Sequence, residues 1–175
     1  MDLKKIVTCG SVDDGKSTLI GRIIYETKNI LDDQKLKLKK LSSRYGTTGS
    51  KLDFALLLDG LQDEREQGIT IDVAHRYINY KNQRLVFHDS PGHHQYTRNV
   101  VTAASNCQIA ILLVDSKKGV LEQTIRHIKI LEFLEIKNII FAINKIDTIK
   151  YNKNKFEHIK KKLDRLLKSK IDIKK

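Results

Sequence analysis

Gly10-Ser11-Val12-Asp13-Asp14-Gly15-Lys16-Ser17 has the spacing G-x-x-x-x-G-K-[ST], the pattern of a phosphate-binding loop. The apolar run Ile6-Val7-Thr8-Cys9 before it reads as a buried strand, and Leu19, Ile20, Ile23 and Ile24 after it fall at helical spacing. Strand, glycine turn and helix in that order place the loop at a helix N-terminus, where unpaired N–H groups and the helix dipole attract an anion. The glycines let backbone N–H groups curl round a phosphate with no Cβ in the way. Lys16 supplies a cation for the β- and γ-phosphates, and the Ser17 hydroxyl can ligate Mg2+. The expected nucleotide contacts in this stretch are Gly10, Ser11, Val12, Asp13, Asp14, Gly15, Lys16, Ser17 and Thr18.

Outward from this unit, short apolar runs alternate with helical patterns, which predicts an α/β fold of the P-loop NTPase kind. Leu31 to Leu41 and Asp53 to Leu61 read as helices on either side of Gly46-Thr47-Thr48-Gly49. Ile71 to Tyr80 and Arg84 to His88 read as strands joined by the turn Lys81-Asn82-Gln83. Such a hairpin predicts one antiparallel edge strand on a mostly parallel sheet with helices on both faces. Ile109 to Val114 and Asn138 to Ile143 read as two further buried strands, separated by a helix carrying Ile125, Ile128, Leu131 and Leu134. Phe156, Ile159, Leu163, Leu166 and Leu167 put an apolar stripe on a last helix whose lysines take the other face. With no internal repeat and no linker, residues 1–175 read as one domain.

Two strand-end motifs extend the site. Asp89-Ser90-Pro91-Gly92 has the form D-x-x-G, in which the carboxylate can hold Mg2+ through a water and the bare Gly92 N–H can approach a γ-phosphate. Asn144-Lys145-Ile146-Asp147 has the form N-K-x-D. A carboxylate there accepts two hydrogen bonds from the guanine N1–H and N2–H2, groups that adenine lacks, so the expected ligand is GTP rather than ATP. The predicted site thus adds Asp89, Gly92, Asn144, Lys145 and Asp147, with Mg2+ as cofactor.

Charge and composition narrow the partners. The net charge is +12, but Lys150 to Lys175 hold eleven basic against three acidic residues, leaving +4 for the other 149 residues. Lysines outnumber arginines 25 to 8 and stacking aromatics are few, so a dedicated nucleic-acid surface is not expected. No apolar run reaches the ~20 residues of a membrane span, and no leader precedes the first strand, which points to a cytoplasmic protein without a membrane partner. Cys9 and Cys107 are too few for a disulfide framework and lack metal-ligand spacing.

Between the loop and the D-x-x-G motif lies Glu64-Arg65-Glu66-Gln67-Gly68-Ile69-Thr70-Ile71, which resembles the first switch of translation-factor GTPases. The resemblance implies that Thr70 ligates Mg2+ and senses the γ-phosphate, completing a metal set of Ser17, Thr70 and, through water, Asp89. Asp89-Ser90-Pro91-Gly92-His93 is similar to the second switch of that family, which implies that His93 orients the attacking water. Val12 and Ile69 match the apolar pair that shields this histidine. The catalytic set is therefore His93, Lys16 and Thr70, while His75, His88, His94, His127 and His158 read as structural or surface residues.

Within these GTPases, Ser11 and Asp14 depart from the G-H-V-D-H-G-K-[ST] loop of elongation factor Tu. Together with the block Leu52 to Ala74, with Pro91-Gly92-His93-His94-Gln95-Tyr96-Thr97-Arg98-Asn99 and with Asp115-Ser116-Lys117-Lys118-Gly119-Val120-Leu121, they resemble the large subunit of sulfate adenylyltransferase. His94 replaces an acidic residue of that pattern. The resemblance implies that GTP hydrolysis drives adenylyl sulfate synthesis from ATP and sulfate in a heterodimer with a small subunit. Fusions with adenylylsulfate kinase share the same domain. The last strand, last helix, fifth guanine motif and β-barrel domains of that family are missing by Lys175, so the expected domain is C-terminally incomplete, with an exposed sheet edge. Two other readings stay open: an elongation factor of the Tu or 1 alpha kind, and a non-catalytic remnant with a basic binding tail.

Overall fold

The computed structural model describes residues 3–46, 52–58, 70 and 72–168. Five strands, β1 (Leu3–Cys9), β2 (Ala74–Tyr80), β3 (Gln83–Asp89), β4 (Ile109–Asp115) and β5 (Asn138–Asn144), form one sheet in the order β2-β3-β1-β4-β5. β1 runs parallel to β3 and β4, β4 runs parallel to β5, and β2 pairs antiparallel with β3. The hairpin therefore forms the antiparallel edge that its short turn predicts. Around the sheet lie α1 (Lys16–Glu26), α2 (Asp32–Tyr45), α3 (Thr97–Ala104), α4 (Glu122–Phe133) and α5 (Lys153–Lys168).

Side chains alternate across each strand, so neighbours in sequence serve opposite cores. Ile6 and Phe87 join Ile20 and Ile24 of α1 in one cluster. Val7 and Cys9 join Val100 and Ala103 of α3, Ile128 and Leu131 of α4, and Ile159 and Leu163 of α5 in the other. β4 divides the same way, with Ile109 and Ile111 against the first cluster and Ala110, Leu112 and Val114 in the second. Burial on both faces is why β1 and β4 end in continuous apolar runs in the sequence, whereas β5 at the sheet edge leaves Ile140 exposed.

The lysine-rich C-terminal helix behaves as its pattern predicts. Asn152 Oδ1 accepts the Lys155 N–H at 3.1 Å at its start, and Ile159 and Leu163 are buried while Lys160, Lys161 and Lys162 are exposed. The basic charge is the solvated face of an amphipathic helix. Among the described residues, no helix is long and apolar enough to cross a membrane.

Three expectations need correction. The helix over Asp53 to Leu61 is reduced to a single 3-10 turn, Phe54–Leu57, and 59–61 lie outside the described residues. Tertiary contacts hold this segment against helical continuation. The Phe54 carbonyl sits against Gly21 of α1 where a Cβ would stand, and the Phe54 ring packs on Tyr25 at 5.2 Å. Asp53 is tied on both sides, its N–H donating to Ser42 Oγ at 3.0 Å and its carboxylate accepting the Ala55 N–H at 3.2 Å. Second, α2 runs to Tyr45 rather than Leu41, and β2 starts at Ala74 rather than Ile71, which is outside the described residues. Third, α3 has no counterpart among the helices expected from sequence. It is eight residues long and rich in β-branched Thr97, Val100, Val101 and Thr102, so its helical signal is weak. Burial of Val100, Ala103 and Ala104 against the sheet forms it.

Candidate nucleotide-binding site

The strand ends converge on the turn between β1 and α1. Gly15 caps α1 at φ +94, a conformation that L side chains rarely adopt, and a Cβ there would lie 2.5 Å from Asn144 Nδ2. That amide donates to the Asp14 carbonyl at 2.8 Å, strapping the loop to the end of β5. The Ser11 N–H donates to Asp14 Oδ2 at 2.7 Å, so the loop also closes on its own side chain. Burial pushes the Asp14 carboxyl up, against the opposing pull of that N–H and of Lys16.

Lys16 is 6% exposed, and its ammonium donates to the Ser11 carbonyl at 2.9 Å. Burial lowers its pKa, while Asp89 and Asp14 favour its charged form. Gly92 of the D-x-x-G motif packs so closely that a Cβ would meet Lys16 Nζ at 2.5 Å and Val12 N at 2.7 Å. Asp89 is held by the sheet itself: Thr8 stands opposite it in the β1–β3 register and donates from Oγ1 to Asp89 Oδ1 at 3.1 Å. Ser90 Oγ in turn donates to the Thr8 carbonyl at 2.5 Å.

These elements enclose a cavity of about 510 Å3. Val12, Asp13, Gly15, Lys16, Ser17 and Thr18 form its floor, Thr70, Gly92 and His93 one side, and Asn144, Lys145 and Asp147 the other. Gly10, Ser11, Asp14 and Asp89 are absent from that wall, and Ser11, Asp14 and Asp89 are buried behind it. Ile69, the second half of the expected apolar pair, lies outside the described residues.

The N-K-x-D end of the cavity is braced from β4. Lys145 Nζ lies 3.2 Å from Asp115 Oδ2, and Ser116 Oγ donates to the Lys145 carbonyl at 2.8 Å. Burial pushes the Asp115 carboxyl up, but the Lys117 N–H and the Lys145 ammonium outweigh it and hold the group below the ordinary carboxylate range. Asp147 is exposed on the cavity wall.

Ser17 Oγ and Thr70 Oγ1 stand 3.2 Å apart. Adjacent oxygens on an octahedral Mg2+ with bonds of about 2.1 Å lie about 3 Å from each other, so these hydroxyls fit neighbouring positions on that ion. His93 Nδ1 accepts the Gln95 N–H at 3.3 Å, which leaves the proton of a neutral ring on Nε2. The ring also packs on His94 at 4.4 Å.

Of the other histidines, His75, His94 and His158 are exposed. His88 and His127 are buried, and burial lowers each to about 4, so both are neutral structural imidazoles at pH 7. Burial likewise lifts the Cys9 thiol to about 12 and the Cys107 thiol to about 11, the range of unreactive thiols.

Sequence reasoning missed four residues. Asp53 and Ala55 line the cavity from the 3-10 turn, Thr8 anchors Asp89, and Lys118 reaches the phosphate loop from the end of β4. Thr8 carried a legible signal, a polar residue in an otherwise apolar strand end; the others depend on tertiary approach.

Comparison with known proteins agrees with this geometry. The chain is 57% identical over 159 residues to sulfate adenylyltransferase subunit 1 of Buchnera aphidicola subsp. Acyrthosiphon pisum, covering 91% of the chain and 34% of that protein. It is 56% identical over 158 residues to the protein of the same name from Erwinia tasmaniensis, covering 90% of the chain and 33% of the relative. The chain thus spans about a third of the length of these relatives. Among solved structures, a bacterial selenocysteine-specific elongation factor EF-Sec superposes with a TM-score of 0.68 at 26% identity, over 97% of this chain and 24% of the other. The GTPase-like domain of S. cerevisiae Ski7 superposes with a TM-score of 0.81 over 95% of this chain and 39% of the other; at 22% identity it shows the fold alone. The family model of the elongation factor Tu GTP binding domain matches residues 1–175, and the chain therefore belongs to that family of P-loop GTPase domains.

Proposed function

We propose that this chain is the GTP-binding and GTP-hydrolysing domain of a sulfate adenylyltransferase large subunit. In this reading it works with a second subunit, and GTP hydrolysis is coupled to the formation of adenylyl sulfate from ATP and sulfate. The observation that carries the reading is identity of 54–57% across nine-tenths of the chain to relatives bearing that name. The selenocysteine-specific elongation factor EF-Sec stands at only 26% identity, which disfavours the elongation-factor reading.

In this cavity Lys16 and the N-terminal amides of α1 hold the phosphates, and Asp147 holds the guanine edge. Ser17 and Thr70 would hold Mg2+, with Asp89 acting through water, and the bound ion would supply charge neutralisation at the phosphate oxygens. His93 Nδ1 is engaged by Gln95, so the ring acts through its Nε2–H. It orients a water by donating to it rather than by taking its proton, which suits a reaction that depends on positioning and electrostatics.

Asp147→Asn tests the guanine assignment. The change replaces a double acceptor with one acceptor and one donor, so GTP affinity should fall by about 10²-fold while xanthosine triphosphate gains. Displacement of a fluorescent GTP analogue by GTP, ATP and XTP measures both effects; wild-type protein that binds ATP as well as GTP defeats the assignment. The larger reading is tested by purifying the protein together with the proposed second subunit. Adenylyl sulfate formation from ATP and sulfate should depend on added GTP, and GTP-independent synthesis rejects the coupling.

Thr70→Ala removes one of the two adjacent hydroxyls but no group that meets the α- or β-phosphate. GDP affinity should stay within about twofold while GTP affinity in Mg2+ drops about tenfold, the scale of one lost bond to a charged group. Titration calorimetry with both nucleotides distinguishes the cases, and an equal loss of GDP and GTP removes Thr70 from the triphosphate side.

A further inference from the structure

Lys118 leaves the end of β4 and crosses to the phosphate loop, where its ammonium donates to the Val12 carbonyl at 3.2 Å. The same nitrogen lies 3.9 Å from Asp13 Oδ2. Val12 and Asp13 both line the cavity, and Asp13 holds the outer lip of the loop in a left-handed conformation, φ +65. The Asp13 and Lys118 side chains are 67% and 40% exposed, and a pair so open to water adds little to folding stability. Its consequence lies in the field over the cavity, because an uncancelled carboxylate on the wall repels every phosphate that enters.

We propose that Lys118 is a positioning residue of the phosphate loop, holding the Val12 carbonyl and cancelling the Asp13 charge so that the triphosphate can settle. The inference rests on the GTP-binding reading above and deepens it. Lys16 answers the phosphates from beneath, 6% exposed and fixed by the Ser11 carbonyl. Lys118 works from the rim, through Val12 and Asp13, and needs no contact with the nucleotide. The more negative triphosphate gains more from it than the diphosphate.

The test is a double-mutant cycle read by binding of fluorescent GTP and GDP analogues to the purified chain. Lys118→Met keeps the aliphatic stem and should lower GTP affinity about tenfold and GDP affinity about threefold, with most of the loss in the association rate and less salt dependence. Lys118→Arg keeps the charge and should stay within about twofold of wild type. Asp13→Asn removes the carboxylate itself and should raise GTP affinity, and combined with Lys118→Met it should bring GTP affinity back to within about threefold of wild type, because the two lost charges offset each other. Wild-type GTP affinity in Lys118→Met, or a double variant that binds GTP no more tightly than Lys118→Met alone, overturns the proposal. A lower thermal midpoint with unchanged GTP-to-GDP preference also overturns it, since that is what a merely structural lysine gives. Wild-type protein that fails to prefer GTP over ATP removes the nucleotide reading itself, separately from these outcomes.

Discussion

Lys16→Ala is expected to lower the affinity for GTP and GDP alike by about 10²- to 10³-fold, the scale of stripping one partner from a desolvated charge pair. The loss follows from where the residue lies. Its stem is buried beneath the loop, its ammonium is pinned at 2.9 Å by the Ser11 carbonyl, and Gly92 leaves no room beside it for another side chain. Among the described residues that form the floor, Lys16 is the one cation. Asp89 and Asp14 favour the charged form of Lys16, so its removal leaves two buried carboxyls without that cation nearby. Lys16→Met separates the two effects by keeping the stem volume. Calorimetric titration with GDP, alongside a urea midpoint for each variant, is the measurement. A dissociation constant within threefold of wild type in a folded Lys16→Ala protein excludes Lys16 as the phosphate cation.

His93→Ala should leave GTP affinity within a few-fold and lower hydrolysis by about 10²-fold or more, the usual scale of a lost positioned catalytic group. The ring lines the cavity beside Gly92, but its hydrogen bond is to its own loop, the Gln95 N–H on Nδ1. Ground-state binding therefore loses little, while the water loses the donor that aims it. Single-turnover hydrolysis of radiolabelled GTP by the protein, together with the proposed second subunit, gives the rate, and equilibrium binding to the same preparation gives the affinity. A His93→Gln variant offers an N–H near the same place and should recover part of the rate. Full turnover in His93→Ala would leave the water to another residue.

Much of the fold can be read from the amino acids because its signals are short in range. The apolar runs of β1 and β4 are continuous because both faces of these central strands are covered, and the hairpin of β2 and β3 is marked by a short turn that the pairing of Tyr80 with Gln83 narrows to Lys81-Asn82. The errors fall where tertiary contact overrides local pattern. Asp53 to Leu61 reads as a helix, yet Gly21 admits the Phe54 carbonyl and Ser42 takes the Asp53 N–H, and the described part of the segment is a single turn, Phe54–Leu57. α3 has poor intrinsic propensity and forms because the sheet buries Val100 and Ala103.

The candidate site divides along the same line. The sequence by itself marked the phosphate-loop pattern with its Lys16 and Ser17, and the D-x-x-G and N-K-x-D motifs, since each of those signatures closes within eight residues. Only the tertiary structure decided how the pieces meet: Asn144 reaches Asp14 across 130 positions, and Lys118 reaches Val12 across 106. The physical reason is strand order. With β1 flanked by β3 and β4, and β5 beyond β4, the C-terminal ends of parallel strands gather at one edge of the sheet. There, loops distant in sequence share their hydrogen bonds and their charges, and no local spacing records that convergence.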